Sequence, residues 1–350
     1  MENFVYNLLG KNYLAIIIIS IIPLLFLLGY ALLAILGELK ISAFIQQRLG
    51  PMRTGPWGIV QPIAEVVKLL QKEDITPSAA NKPLFNLAPF IIFTGSYAGF
   101  AVIPFSAQFI PAGINLGLFY VFAVSAFAVI GIVMGGWASN NKYSLMGAMR
   151  SVAQIISYEI PAAMAILSIA VIASSLDMQK ISMNQSGWFW NWYILGGPGG
   201  IEKVWVIPFM IGLFLIYMIS SLAETNRTPF DIPEGESELV AGYHTEYSGM
   251  KFAMFFFAEY ANMFIVAAII TVIFLGGWNS PFGDFLAGPI LGALWFIFKA
   301  FVIVFIQIWL RWTLPRLRVD QLMFLGWKVL IPLSFLCFFA ISLYALINKS

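Results

Sequence analysis

Three ionisable side chains lie within long apolar runs of the sequence: Glu159, Glu259 and Lys299. A charge at the centre of a bilayer costs about 2.5 to 3.5 kcal/mol on insertion scales, so such residues are usually functional. With a helix rise of about 1.5 Å per residue, they lie about 14, 12 and 18 Å from the charged ends of their runs. Protonatable groups at this depth suit proton or ion transfer. A buried Glu can also be a neutral, hydrogen-bonded packing residue, and this observation alone leaves both roles open.

Two further carboxylates, Glu38 and Glu224, follow directly after apolar runs. Near the spans' inner ends, they would connect one membrane surface with the three mid-span groups. Together these five side chains predict a chain of protonatable groups from the inner surface to the midplane.

A segment of unusual charge follows the fifth apolar run, AETNRTPFDIPEGESELVAGYHTEYSGMK. Its carboxylates outnumber its two cations, and its Pro, Phe, Val and Tyr residues indicate a folded loop rather than a disordered tail. Carboxylates held close together raise one another's pKa, which suits proton uptake near neutral pH. The same carboxylates could instead pair with basic loops. They are Glu224, Asp231, Glu234, Glu236, Glu238 and Glu246.

The loop after the first apolar run contains two arginines, Arg48 and Arg53, beside Gly-Pro turns. A rigid loop that presents guanidinium groups suits an anionic or polar partner. Pro62 fits the first turn of a helix, and apolar residues at helical spacing follow it, with Glu65 and Lys68 on other faces. The pattern predicts a short amphipathic helix at the membrane surface. A solvated surface helix is the alternative.

The composition assigns these residues to a membrane protein, since 60% of the 350 residues are apolar and only 10% are charged. Globular chains carry about 25% charged residues. Apolar stretches of about 20 residues predict an all-α polytopic membrane protein, with about eight transmembrane helices and an amphipathic surface helix in the first inner loop. We expect one membrane domain, 1–350, with spans at 13–37, 85–105, 117–138, 151–175, 204–223, 252–276, 288–311 and 329–347, and inner loops at 38–84, 139–150, 224–251 and 312–328.

The basic residues are distributed unevenly between the two sides. Of the 19 Lys and Arg residues, fourteen fall on the inner side, counting Arg311 at the inner end of the seventh span, four fall on the other side and one, Lys299, lies inside the seventh span. Because cytoplasmic loops collect Lys and Arg, this predicts cytoplasmic long loops and periplasmic termini. The expected location is the cell inner membrane, or an equivalent organellar membrane.

The chain has one cysteine, Cys337, and one histidine, His244. It therefore cannot by itself hold an Fe–S cluster, a Cys-rich zinc site, a bis-His haem or a disulfide. We predict no metal site, and any electron transfer must use cofactors in other chains. The net charge of +2 gives no argument for nucleic-acid binding.

Three segments carry a family resemblance: RLGPMRTGP…QPIAEVVKLLQKE, YSLMGAMRSVAQIISYEIP and AETNRTPFDIPEGESELVAGYHTEYSGMKFAMFFFAEYANM. They resemble the H-subunit family (mitochondrial subunit 1) of proton-pumping NADH:quinone oxidoreductase, respiratory complex I. The resemblance covers nearly the whole chain. Met52 and Glu65 stand where the family usually has Asn and Asp, which affects loop detail only.

The resemblance implies a membrane subunit of a proton-translocating enzyme complex that is not catalytic in isolation. It implies quinone as the substrate, in a long chamber shared with hydrophilic-arm subunits. NADH, FMN and the Fe–S clusters would belong to partner subunits, and small membrane subunits would be further neighbours. The residues and the resemblance together give chamber candidates Arg48, Arg53, Glu65, Lys68, Arg227, Phe230, Tyr243, His244 and Glu246. The proton-pathway candidates are Glu38, Glu159, Glu224, Glu259, Lys299, Asp231, Glu234, Glu236 and Glu238.

The expected mechanism is redox-coupled electrostatics, in which charge on the reduced quinone changes the protonation of nearby carboxylates. One alternative is the membrane anchor of a related membrane-bound hydrogenase or formate hydrogenlyase. Another is a self-contained secondary transporter. The sequence leaves open whether the quinone is ubiquinone, menaquinone or plastoquinone, and which ion is coupled.

Overall fold

The computed structural model describes residues 13–199, 204–233, 235–283, 285 and 288–347. Three of the four lysines assigned to the outer side, Lys11, Lys203 and Lys349, lie outside these ranges. The helices are α1 (Tyr13–Ile45), α2 (Gln61–Gln71), α3 (Lys82–Gly99), α4 (Gly117–Ala138), α5 (Lys142–Ala173), α6 (Met178–Asn184), α7 (Ile207–Glu224), α8 (Glu236–Leu239), α9 (Gly249–Phe274), α10 (Pro289–Thr313), α11 (Val319–Phe324) and α12 (Ile331–Ile347). A π-helical segment, Leu325–Leu330, joins α11 to α12, and 3₁₀ turns include Pro56–Gly58, Phe100–Val102, Phe189–Asn191, Tyr193–Leu195 and Gly242–His244.

Eight helical stretches of the described chain are long and apolar enough to cross a membrane. They are α1, α3, α4, α5, α7, α9, α10 and the continuous α11–α12 stretch. No β-strand occurs in the described ranges. The prediction of an all-α polytopic membrane protein is therefore confirmed. The surface helix of the first loop is α2, which has Pro62 in its first turn.

Several helices extend beyond the apolar runs that predict them. α1 continues to Ile45 instead of ending at residue 37, so Glu38 lies inside a helix. α5 begins at Lys142 and α11 at Val319, so much of the predicted loops 139–150 and 312–328 is helical. The reason is that an apolar run ends at its first charge, whereas a helix continues while long polar side chains reach the membrane interface.

The connections form two loop layers at opposite ends of the helix bundle. In one layer, Asn140 Nδ2 donates to the carbonyl of Ala79 at 3.2 Å. In the other, the backbone N–H of Phe189 donates to the carbonyl of Pro281 at 3.2 Å. We call the first the acidic-loop face, which comprises 46–81, 139–141, the described parts of 225–248, and 314–318. We call the second the tryptophan-loop face, which comprises the described parts of 103–116, 174–206 and 275–288.

Helix α9 is the central helix, and it packs against α1, α3, α7 and α10. Its second half is filled with buried apolar side chains such as Phe264, Ile270 and Phe274. Glu259 and Tyr260 lie in its first half, nearer the acidic-loop face. The polar chemistry of the central helix is therefore confined to one half of the bundle.

The acidic loop packs closely against α5 because Gly147 has no side chain. A Cβ atom at Gly147 would lie 2.7 Å from the Cα of Gly242, well inside contact distance. The close contact between Gly147 and Gly242 lets the turn Gly242–His244 pack against the helix bundle. Tyr243 and His244 are buried there as a result.

Candidate functional site

Glu38 on α1 is the centre of a buried charge cluster. Its carboxylate accepts hydrogen bonds from Arg227 Nη1 at 2.8 Å and from the Tyr260 hydroxyl at 2.8 Å. Arg311 of α10 donates to the other carboxylate oxygen. Groups from α1, α9, α10 and the acidic loop thus converge on one carboxylate. With two cations against one anion, the cluster carries a net positive charge.

The charge on Arg227 depends on this arrangement. Burial opposes a charged guanidinium, but the Glu38 carboxylate outweighs burial and holds the pKa of Arg227 well above its usual range. The guanidinium also lies 4.7 Å from the centre of the Tyr260 ring. Removing one partner of such a buried pair leaves an uncompensated charge. Glu38 and Arg227, predicted separately, therefore depend on each other.

A cavity of about 370 Å³ opens beside this cluster, between α1, α2 and α9. Its charged and polar walls include Glu38, Arg48, Glu65, Lys68 and Tyr260. The rest of the wall is mostly apolar and aromatic. Three predicted chamber residues from the first loop thus line one cavity together with Glu38.

Helix α2 forms one lip of this cavity and has a second face that is apolar and exposed. Ile63, Val67 and Leu70 on that face are 50%, 45% and 60% exposed. An exposed apolar stripe of this kind suits the boundary between lipid head groups and acyl chains. Arg53 is exposed and lies outside the cavity lining formed by the described residues.

A second cluster joins the acidic loop to α9. The Tyr243 hydroxyl donates to Glu259 Oε1 at 3.1 Å, and His244 Nε2 lies 3.6 Å from the same oxygen. Because Glu259 and Tyr260 are neighbours on α9, this cluster adjoins the Glu38 cluster. The acidic loop therefore reaches the stretch of α9 that borders the cavity.

Glu159 and Glu224 form a third group, between α5 and α7. They are close enough for their charges to interact. Gln154 on α5 holds the start of the acidic loop nearby. Its Nε2 contacts the carbonyl oxygens of Ala223 at 2.8 Å and Phe230 at 2.7 Å, and the Phe230 side chain is buried. Phe230 is thus a packing residue of this region.

Lys299 is not brought to these carboxylates. Its ammonium donates to three backbone carbonyls of the segment 275–279 at 2.6 to 3.1 Å and lies 4.2 Å from the Trp192 ring. These carbonyls follow the end of α9, about 24 Å along that helix from Glu259. The expectation that Lys299 shares the depth of the two span glutamates is wrong. Its long side chain reaches towards the tryptophan-loop face, a direction that residue counting cannot provide.

The carboxylates at the surface of the acidic loop have other partners than one another. Glu238 pairs with Arg150 at 2.6 Å, and Glu246 accepts a hydrogen bond from Asn141 Nδ2 at 2.6 Å. The hydrogen bond and the charge of Arg150 hold the pKa of Glu238 below its usual range. The expectation that mutual repulsion raises the pKa is therefore wrong for Glu238.

Three acidic-loop candidates remain, Asp231, Glu234 and Glu236. Asp231 is half-buried. Glu234 lies outside the described residues, and Glu236 is the first residue of α8.

The sequence matches the family model of NADH dehydrogenase over residues 16–342. A relative from Chlorobium luteolum, named as the H subunit of NADH-quinone oxidoreductase, is 56% identical over 336 residues, which cover 93% of this chain and 88% of the relative. A relative of the same name from Chlorobaculum parvum is 54% identical over 349 residues, with coverage of 97% and 94%. An H subunit from Cytophaga hutchinsonii, numbered 2 in its name, is 46% identical over 339 residues, with coverage of 88% and 93%. The chain belongs to the H-subunit family of complex I.

As a member of this complex I family, the chain is a multi-pass membrane subunit of a multi-subunit oxidoreductase. Its site includes three residues that sequence reasoning missed as site residues, Gln154, Tyr260 and Arg311. Gln154 and Tyr260 are polar groups inside apolar helices, which is a weak but readable signal. Arg311 served only in the charge count, because nothing in the sequence pairs it with Glu38.

Proposed function

We propose that this complex I subunit forms the membrane side of the quinone site and passes protons taken up there through its buried carboxylates. The observation that carries the proposal is the cavity of about 370 Å³ beside Glu38, Arg48 and Lys68. Ligand pockets of about 300 to 1,000 Å³ with apolar walls and a few polar groups are typical of small-molecule sites. A quinone has an apolar ring and chain, which match the apolar walls of the cavity, and two carbonyl oxygens, which match its few polar groups.

The charges around the cavity suit the reduction of a quinone, which takes up two electrons and two protons. As electrons arrive, negative charge develops on the two quinone oxygens. The cations Arg48 and Lys68 can stabilise that charge, and the Tyr260 hydroxyl is a hydrogen-bond donor at the same wall. A new charge a few ångströms away shifts carboxylate pKa values by about 1 to 3 units. Glu38 and Glu65 are the carboxylates best placed to respond.

The proposed proton route uses the buried carboxylates. Glu38 and Glu259 are linked through neighbouring positions on α9, since Tyr260 donates to Glu38 and Glu259 accepts from Tyr243. Glu224 then lies at the end of α7, with Glu159 next to it. Lys299 stands apart from this route.

The remaining parts of the reaction are assigned to partner chains. NADH, FMN and Fe–S clusters would lie in hydrophilic-arm subunits covering the acidic-loop face, and neighbouring small membrane subunits would receive the protons. In this proposal the long loops lie in the cytoplasm and the termini in the periplasm, across a cell inner membrane; the excess of Lys and Arg in the inner loops supports this orientation. The quinone oxidoreductase names of the relatives favour this function over a hydrogenase anchor or a secondary transporter.

Photo-crosslinking with an azido-quinone in the intact complex tests the assignment. We expect labelled peptides from 48–68 and from the first half of α9, and we expect excess unlabelled quinone to suppress them. The tryptophan-loop segment 275–283 is an internal control that should stay unlabelled. Suppose that the labelling suppressed by unlabelled quinone is found only in other parts of this subunit or in other subunits. That result would overturn the cavity assignment.

A further inference from the structure

A small cavity of about 30 Å³ lies between α3, α4, α7 and α9. Its polar lining side chains are Ser96, Ser125, Tyr217, Glu224 and Asn262. A space of about 10 to 15 Å³ suffices for one water molecule, and buried waters typically make about three hydrogen bonds to polar groups. The cavity has both the volume and the polar partners that a water molecule needs.

Ser96 is the second observation that points to water. The residue is 3% exposed, and its buried hydroxyl has no hydrogen-bond partner among the described residues. Burying a hydroxyl without a partner is costly, and native proteins usually satisfy such a group with ordered water. Ser96 lines this cavity, so a water bound there would satisfy it.

Ser125 connects the cavity with Glu159. Its hydroxyl lies 2.8 Å from the carbonyl oxygen of Phe122 and within hydrogen-bonding reach of the Glu159 carboxylate. A serine hydroxyl has one proton, so it donates to one of these acceptors at a time. A charged Glu159 attracts the proton, whereas a neutral Glu159 lets the hydroxyl return to Phe122. The Ser125 oxygen keeps lone pairs to accept from a water in either case.

We propose that this cavity is a water site that passes a proton between Glu224 and Glu159 through the Ser125 hydroxyl. The Glu224 carboxyl gives its proton to the water, the water gives one of its own protons to Ser125 Oγ, and Ser125 gives its original proton to Glu159. One proton moves, and water and serine both end neutral. Ser96 and Asn262 are positioning residues that hold the water. The inference rests on the proposed function, because it supplies the link between two of its carboxylates.

A density map of the intact complex, at a resolution that shows ordered water, tests the site directly. We expect a water within about 3 Å of Ser96 Oγ and of a Glu224 oxygen. A cavity closed by a side chain, or one without water density, would overturn the proposal. This measurement does not depend on any activity of the enzyme.

The relay is tested with variants of the intact complex in proteoliposomes. Ser125→Ala removes the relay hydroxyl, Ser96→Val fills the water space, and Ser125→Thr keeps a hydroxyl. The matched control is Ser168→Ala, since Ser168 is a buried serine of α5 whose hydroxyl donates to its own helix at Met164. The measurements are protons translocated per second during quinone reduction and the ratio of these rates in H₂O and D₂O.

A positioned proton-transfer group contributes about 100-fold or more, and a second water can replace part of it, so we expect about tenfold slower translocation in Ser125→Ala. Ser96→Val should be slowed similarly, and both should show a larger isotope ratio. Ser125→Thr and Ser168→Ala should behave as the wild type. Wild-type rates and isotope ratios in Ser125→Ala would overturn the relay. If Ser125→Ala does not assemble, the same two measurements on Ser96→Val decide.

Glu224→Gln separates this inference from the proposed function. If Glu224→Gln reduces quinone and pumps protons as the wild type does, the carboxylate route itself fails. If Glu224→Gln is slow while Ser125→Ala and Ser96→Val are unaffected, the route stands and the water relay is wrong.

Discussion

The two ends of the helix bundle hold cations in different ways. Near the acidic-loop face, Arg227 and Arg311 bind the Glu38 carboxylate beside a cavity. Towards the tryptophan-loop face, Lys299 binds three backbone carbonyls and stacks on Trp192. A carboxylate can take up a proton, whereas a backbone carbonyl cannot. The first arrangement has a carboxylate beside the cavity, whereas the second joins an ammonium to the backbone of a loop.

This difference shows that a charge inside an apolar span is an incomplete signal of function. By its position in the sequence, Lys299 looks as functional as Glu159. The partners distinguish the two, because Glu159 interacts with another carboxylate and Lys299 with the backbone. The chemistry of the partner therefore carries more information than the depth of the charge.

The largest effect is expected for Glu38→Gln. Glutamine keeps the size of the side chain but leaves Arg227 and Arg311 without a buried counter-ion, and breaking a buried ion pair costs about 3 to 5 kcal/mol. We expect little assembled complex on native gels and a matching loss of NADH:quinone activity in membranes. Glu73→Gln, at an exposed position of the first loop, is the control. Normal assembly and activity of Glu38→Gln would contradict the central role of the cluster.

A smaller effect is expected for Lys299→Met. Methionine approximates the length of the side chain but removes the donor from three carbonyls, and an unsatisfied buried acceptor costs about 1 to 3 kcal/mol. We expect faster thermal inactivation of the complex, with unchanged protons per NADH in the enzyme that remains. Lys180→Met, exposed on the same face, is the control.

The opposite result for Lys299→Met would remove the distinction between the two ends. A variant with normal thermal stability and impaired proton pumping would return Lys299 to the proton pathway, where its sequence position first suggests it.

Much of the fold is readable from sequence because a membrane imposes one strong constraint. A crossing segment needs about 20 apolar residues with internally bonded backbone, so hydropathy locates the eight membrane-length helical stretches of the described chain. Their ends are less readable, since α1 runs to Ile45 and α5 begins at Lys142, where polar residues continue the helices. Backbone hydrogen bonding, not hydropathy, sets those ends.

The site likewise has a part that can be predicted from the sequence and a part that cannot. Arg48, Glu65 and Lys68 come from one loop and its helix, so local sequence patterns are enough to group them. The partners of Glu38 lie 189 and 273 residues away in sequence, at Arg227 and Arg311. Only the packing of the helices brings these charges together, and no local pattern encodes it.

The smallest effect is expected for Glu238→Gln. Glu238 and Arg150 are 61% and 27% exposed, and exposed ion pairs contribute little to stability. Arg150 lowers the pKa of Glu238, so the pair stabilises above the ordinary carboxyl pKa of about 4.3, and this is lost as pH falls through the lower folded value. At pH 7 we expect wild-type assembly and proton pumping, and a rate of thermal inactivation only slightly different from that of the wild type. Below the pKa of Glu238 in the folded protein, the two rates of thermal inactivation should be equal. Reduced pumping by a fully assembled Glu238→Gln enzyme at pH 7 would show that the exposed carboxylates of the acidic loop also carry protons, and the functional boundary would then lie at the loop surface instead of at the buried clusters.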